Sequence, residues 1–197
     1  MNEQLDPRRT ALLLIDLQRG AFESGDERAR LLAASGIVER LAALVETARA
    51  RGVTIVYVLN TRRADGADQV TLPVQGGLAG GGGRPVEGSP EWQVVDALRP
   101  TPADVQVVKR RRNAFYGTDL DLHLRARGIT TLIVGGQRTT VGVESTVRDA
   151  FDRDYALIVL ADGCGGVPED EQRWAMTRVF PTMARVLTCA EVQALLA

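Results

Sequence analysis

Short, unbroken apolar runs alternate with helix-period stripes along this chain, and that alternation restricts it to one fold class. Ala11-Leu12-Leu13-Leu14-Ile15 contains no polar residue that would mark a wet face, and it stops at Asp16. Such a run is the habit of a parallel strand covered on both sides. Ile37, Leu41, Leu44, Val45 and Ala48 then fall on one helical stripe, which Gly52 ends. The β-branched and aromatic run from Thr54 to Leu59 is a second strand. A short helix is expected from Trp92 to Leu98, before Pro100, and a third strand from Val105 to Val108, ending at Lys109. Thr118 can cap a helix that carries Leu120 and Leu124 and closes at Gly128. Thr130 to Val134 and Ala156 to Leu160 are strands four and five, the latter followed by a helix through Trp174, Arg178 and Val179. A last strand, Ala184 to Leu187, leads into the capping-box pattern Thr188-Cys189-Ala190-Glu191. Six strands with intervening helices predict an α/β fold: three αβα layers around a Rossmann-like, mainly parallel sheet.

At 197 residues the chain is expected to form a single domain spanning 1–197, with no internal repeat and no linker. The exceptional connection is the long stretch 60–91, which contains Gly76-Gly77-Leu78-Ala79-Gly80-Gly81-Gly82-Gly83. A connection that long inside a compact domain reads as a lid or binding loop, with a disordered surface loop as the alternative. The glycine run follows no strand and lacks a Gly-Lys-Ser/Thr ending, so it is no phosphate cradle. Basic and acidic residues nearly balance, 24 against 25, which gives no electrostatic reason to expect nucleic acid or a membrane as partner. The polar start, Met1 to Pro7, is not a signal peptide, and no apolar run is long enough to span a bilayer. The expected setting is cytoplasmic, where Cys164 and Cys189 form neither a disulfide framework nor a metal motif.

The chemistry is expected where Ile133-Val134-Gly135-Gly136-Gln137-Arg138-Thr139-Thr140-Val141-Gly142-Val143-Glu144-Ser145-Thr146 joins strand four to a helix whose apolar face is Val143, Val147, Ala150 and Phe151. A turn at the carboxyl end of a parallel strand is where α/β proteins place their sites, and free N–H groups of a new helix can receive developing negative charge there. Asp16 ends one buried strand and Lys109 ends another. A carboxylate at that depth must be paired or protonated; alone, Asp16 is equally readable as a helix cap or a structural salt bridge. Three positions, Asp16, Lys109 and Gly142, converging on one crevice is a more specific signal than any one of them. Ser145 and Thr146 lie one turn further in, with no histidine placed to activate them; the lone His123 belongs to the Leu120–Leu124 helix.

These segments carry a resemblance that covers nearly the whole chain. Leu14-Ile15-Asp16-Leu17-Gln18, Lys109-Arg110-Arg111-Arg112-Asn113-Ala114-Phe115-Tyr116-Gly117-Thr118-Asp119-Leu120, the turn around Gly142 with Arg148-Asp149-Ala150-Phe151, and Val159-Leu160-Ala161-Asp162-Gly163-Cys164 resemble, in order, the motifs of the isochorismatase-like (cysteine hydrolase) family. The resemblance implies that fold, a catalytic aspartate at Asp16 and a catalytic lysine at Lys109. It departs at Gly142, where most amidohydrolases of the family place the nucleophilic cysteine, and there it is similar to isochorismatases that cleave a vinyl ether without a covalent intermediate. It implies a non-proline cis peptide at Gln137–Arg138, and substrate-binding roles for Gln137, Arg138, Thr139, Val141 and Val143, with Phe22, Trp92 and Phe115 as an apolar wall. Arg138 is unusual there: it is free to clamp a substrate carboxylate, or to turn to an internal acid or a neighbouring subunit. The metal cluster of related nicotinamidases is replaced by Asn60-Thr61-Arg62-Arg63, so neither metal nor other cofactor is expected.

The expectation is therefore a hydrolase of a small-molecule substrate, a homodimer or homotetramer, with Asp16 as general acid or base beside Lys109, and vinyl-ether hydrolysis favoured. Two other readings remain open: an amide or imide (C–N) hydrolase with an Asp-activated water, and a non-catalytic small-molecule-binding or assembly subunit.

Overall fold

The computed structural model describes residues 4–70, 72 and 84–196. The Gly76–Gly83 run lies outside the described residues. In chain order the elements are β1 (Thr10–Ile15), α1 (Arg19–Phe22), α2 (Glu27–Ser35), α3 (Ile37–Ala50), β2 (Thr54–Asn60), β3 (Val105–Lys109), α4 (Leu120–Ala126), β4 (Thr131–Gln137), α5 (Glu144–Asp152), β5 (Ala156–Gly165), α6 (Glu169–Trp174), β6 (Arg185–Leu187) and α7 (Cys189–Leu195). The sheet runs β3-β2-β1-β4-β5-β6 with every neighbouring pair parallel.

Alternate residues of each strand feed opposite cores, as the two-residue period of a strand requires. Ala11, Leu13 and Ile15 join Leu120, Leu124, Val147 and Ala150 on one face of the sheet. Leu12 and Leu14 join Leu32, Ile37, Leu41, Leu44 and Val192 on the other. That explains why β1 reads as unbroken apolar sequence: all six of its residues are buried. The α3 stripe and the Thr188–Glu191 capping box form as the sequence predicts. Asp119 stands at the head of α4, while Thr118 Oγ1 accepts the Leu120 N–H at 3.3 Å.

Three local expectations are corrected. Residues 92–98 form no helix but two separate 3-10 turns, Pro90–Trp92 and Asp96–Leu98. Their backbone is engaged elsewhere: Val95 N–H donates to Leu17 O (3.1 Å) and Gln93 O accepts from Arg19 N–H (2.8 Å). Strand β4 continues through Gly135-Gly136-Gln137, and β5 continues to Gly165. The glycines are strand residues because there is no room for anything larger: a Cβ on Gly136 would lie 2.2 Å from Ile15 O. Finally, the helix after β4 begins before Gly142, as a widened π turn over Thr139–Val143 that runs into α5.

The order reverses between β1 and β4, where neighbouring crossovers leave toward opposite edges, and it is beyond the carboxyl ends at such a point that α/β sheets place their ligand crevices. Asp16 and the Gln137–Gly142 segment stand at that point.

Candidate active site

Asp16 occupies the first position after β1 with φ 55°, a left-handed conformation that aspartate tolerates better than most residues. Its main chain is held on both sides, by its N–H to Val58 O (2.9 Å) and by Gln137 Nε2 donating to its carbonyl (2.9 Å). The side chain therefore projects in a fixed direction over the sheet edge. There Oδ2 meets Lys109 Nζ at 2.9 Å. Lys109 starts two strands away, at the end of β3, and reaches over β2 with its side chain fully buried. Its ammonium also donates to Arg112 O at 2.8 Å, so the turn after β3 fixes it from behind.

Burial raises the Asp16 pKa above the ordinary carboxylate range, against the opposing charges of Lys109 and Arg28. Oδ1 is buried and, among the described residues, has no hydrogen-bond partner. One face of the carboxyl is thus fixed to a cation and the other is uncommitted.

Gly142 completes the group. A Cβ built there would lie 3.2 Å from Asp16 Oδ2 and 3.3 Å from Lys109 Nζ. Any side chain at 142 would touch the ion pair directly; glycine leaves that space to solvent or ligand. Thr146 secures the turn, donating to Gly142 O (2.8 Å) and accepting from Ala114 N–H (3.0 Å).

The other hydroxyls and thiols are turned elsewhere. Ser145 Oγ donates to Val141 O at 2.6 Å, the same back-bonding as Thr146. Cys164 is buried against Val134 O and burial pushes its thiol up to about 12. Cys189 packs in the opposite core layer, its thiol likewise raised by burial. His123 pairs with Asp119 on α4. Among the described residues no group of three His, Cys, Asp or Glu side chains is arranged to hold a metal ion.

The remaining positions singled out in the sequence divide. Gln137 is buried and braces Asp16, and the Gln137–Arg138 peptide is cis. Arg138 is half-buried beside the crevice and Val141 is partly exposed. Thr139 turns inward, donating to Gln172 Oε1 at 2.6 Å. Val143 is corrected twice: its side chain belongs to the core, and its N–H is not free but donates to Arg138 O at 3.2 Å, the bond that widens the turn. Phe115 is also core, stacked on Tyr155 with centroids 6.1 Å apart and covered by the Arg153 guanidinium. Phe22 and Trp92 are half-buried against the α3 side of the sheet. Sequence reasoning missed two contributors. Gln18 ties Asn60 and Trp92 together, accepting Asn60 N–H (2.8 Å) and donating to Asn60 O (3.1 Å) and Trp92 O (2.8 Å); a polar residue two places after Asp16 was its only signal. Arg28, on α2, acts on the Asp16 carboxyl from a segment with no motif.

With that geometry in hand, comparison with known proteins is direct. Residues 10–191 match the isochorismatase domain. The chain is 34% identical over 193 residues to the uncharacterized isochorismatase family protein YecD of Escherichia coli O157:H7, covering 96% of this chain and 97% of that protein. It is 35% identical over 202 residues to the ureidoacrylate amidohydrolase RutB of Methylobacterium radiotolerans, covering 89% of this chain and 74% of that one. The fold superposes on an isochorismatase family protein from Burkholderia thailandensis with a TM-score of 0.82 at 34% identity, covering 98% and 97% of the two chains. A six-stranded parallel sheet, an Asp–Lys pair at its switch point and a domain match over nearly its full length place this chain in the isochorismatase family of hydrolases.

Proposed function

We propose that this hydrolase acts on a small metabolite without a covalent enzyme intermediate, using Asp16 as its acid–base group and Lys109 as the fixed charge beside it. The observation that carries this reading is Gly142: the position in contact range of both Asp16 and Lys109 has no side chain with which to attack. Neither hydroxyl of the next turn substitutes, since both donate to main-chain carbonyls.

The favoured bond is the C–O bond of a vinyl ether. A carboxyl whose pKa is raised by burial keeps its proton to higher pH than a free aspartate and is suited to give it away. Asp16 protonates the enol carbon, the electron pair of the C=C bond forms the new C–H bond, and an oxocarbenium ion results. Water adds to that ion, the hemiketal collapses to a ketone, and the alcohol leaves as Asp16 recovers a proton. A second reading, C–N hydrolysis by a water that Asp16 activates as base, is favoured by the likeness to ureidoacrylate amidohydrolases.

The test is turnover of isochorismate against a panel of ureidoacrylate, maleamate, nicotinamide and N-carbamoyl compounds, with intact-protein mass spectrometry during turnover. Isochorismate cleavage with no adduct supports the first reading. Turnover confined to the C–N compounds, without adduct, replaces it with the second. A substrate-derived adduct on any residue overturns both, and turnover of nothing in the panel moves the chain to a binding role.

A further inference from the structure

Gly142 is brought up to the Asp16–Lys109 pair by the widened turn over Thr139–Val143. Turns of this π type are rare and occur mostly singly, at functional sites. Within the turn, Arg138 O accepts two amides, Val141 N–H at 3.0 Å and Val143 N–H at 3.2 Å. The rest of its support comes from side chains. Thr146 holds the Gly142 carbonyl from α5. On the other flank the hold comes from α6, an element that carries no catalytic motif and follows β5 by four residues.

The contact is made by Gln172. Its Nε2 donates to Cys164 O at 3.1 Å and to Ala161 O at 3.3 Å, and its Oε1 accepts the Thr139 hydroxyl at 2.6 Å. The amide fits in one orientation only: two carbonyls need the two N–H groups, which leaves the oxygen for the hydroxyl. Thr139 is fully buried and opens the turn, so a hydroxyl fixed there fixes where the turn begins. The carbonyl side is just as well placed. Cys164 and Gly165 pair with Gly136 and Gln137, where the register of β4 with β5 shifts, and Gln137 in turn holds the Asp16 carbonyl. One half-buried side chain thus joins α6, the end of β5 and the turn under Gly142. The neighbouring bridge, Thr140 Oγ1 to Glu171 Oε2 at 3.0 Å, is exposed and competes with water. The tolerance in this region is small, because a Cβ at Gly142 would lie 3.2 Å from both Asp16 Oδ2 and Gln137 O.

We infer that Gln172 is a positioning residue of this enzyme: through Thr139 and the carbonyls at the end of β5 it fixes the π turn, and with it the space between Gly142 and the Asp16–Lys109 pair. The inference rests on that space being where the reaction occurs. It makes α6 part of the machinery that holds the site, although α6 supplies no reacting group.

The test begins with Gln172→Met in the full-length protein, which keeps length and volume but loses the amide. A misplacement of about 1 Å costs about 10²-fold, so kcat should fall about tenfold to hundredfold while KM changes less than about threefold. Thr139→Val breaks the same bridge from the other side and serves in its place if Gln172→Met does not fold. The double variant Thr139→Val/Gln172→Met should be no worse than the poorer single, as expected for two ends of one contact. Thr139→Ser keeps the hydroxyl and should recover most of the turnover that Thr139→Val loses. Glu171→Gln, on the exposed bridge, should leave turnover unchanged. A second measurement needs no substrate. Asp16 faces Lys109 and Arg28 and is raised by burial; a slackened turn admits water, so in Gln172→Met the Asp16 carboxyl, followed by 13C NMR, should titrate at lower pH than in wild type. Wild-type kcat in folded Gln172→Met, losses that add in the double variant, or an unmoved Asp16 titration would overturn the positioning role. A shifted Asp16 titration in a protein that hydrolyses nothing would sink the enzymatic proposal and leave the hold of Gln172 on the turn standing.

Discussion

Asp16 combines a left-handed backbone, a buried carboxyl and a cation 2.9 Å away, and each of these has a consequence that can be measured. Asp16→Asn preserves shape but removes the proton. Proton transfer by a placed side chain contributes about 10²–10⁴-fold, so turnover should fall by that factor with an unchanged circular dichroism spectrum. More than half of wild-type turnover in a folded variant would remove Asp16 from the chemistry. The pH dependence separates the two mechanisms by sign. The folded-state pKa is raised; if the protonated form is the acid, kcat/KM falls as pH rises through it, and if the ionised form is the base, kcat/KM rises over the same window. Lys109→Met should be costly to the fold as well, because it strands a buried carboxylate. Breaking one side of a buried pair costs about 3–5 kcal/mol, and the Asp16→Asn/Lys109→Met double variant should recover much of that in denaturant titration.

At the level of elements, the two glycines around the β4–α5 turn serve different ends. Gly136 has φ 126°, and a Cβ there would meet Ile15 backbone at 2.2 to 2.8 Å, so neither strand can yield without breaking the pairing of β1 with β4. Gly136→Ala should therefore cost more than about 4 kcal/mol and leave little soluble protein. The contacts of a Cβ at Gly142 begin only at 3.2 Å, to Gln137 O and Asp16 Oδ2, with Lys109 Nζ at 3.3 Å, so a shift of a few tenths of an ångström accommodates it. Gly142→Ala should fold, with a melting temperature close to wild type, yet lose about tenfold to hundredfold in turnover by displacing the reacting groups. Gly142→Cys should not by itself yield a good amidase. Wild-type activity in folded Gly142→Ala would show that this space is not where substrate or water sits.

Across the whole molecule the two cysteines are buried in opposite core layers, Cys164 on the α4–α5 side and Cys189 on the α3–α7 side. Burial raises both thiols, which keeps the reactive thiolate scarce. Iodoacetamide on the native protein should leave turnover nearly unchanged and label the cysteines only in denaturant. Inactivation that tracks labelling of either thiol would contradict a cysteine-free mechanism. Full turnover should also survive exhaustive chelation, since among the described residues no group of three His, Cys, Asp or Glu side chains is arranged to hold a metal ion. Recovery of lost activity by one particular divalent cation would refute that.

The sequence alone determined which stretches are strands, because the period of the apolar residues signals which faces will be buried, and hydropathy is a property each residue carries locally. It also marked Asp16, Lys109 and Gly142, each a break in pattern where a strand ends. That Asp16 and Lys109 meet is expected from their strand-end positions and the resemblance; the sheet order, with β3 two places from β1, is what lets the Lys109 side chain reach across β2 to do so. Other partnerships were not in the sequence. Residues 92–98 are not helical because residues 17–19 take their backbone hydrogen bonds, a partnership more than seventy positions away. Gly135 and Gly136 read locally as a turn and are strand because β1 and β5 press on both sides. Phe115 looked like a pocket wall and is core, since its partner Tyr155 comes from beyond α5. Arg28 had no local mark at all, for its charge acts on Asp16 only once α2 is folded back over the sheet. Strand identity follows from the hydropathy of neighbours in the chain, whereas charge pairing and site membership follow from long-range packing, which no local pattern encodes.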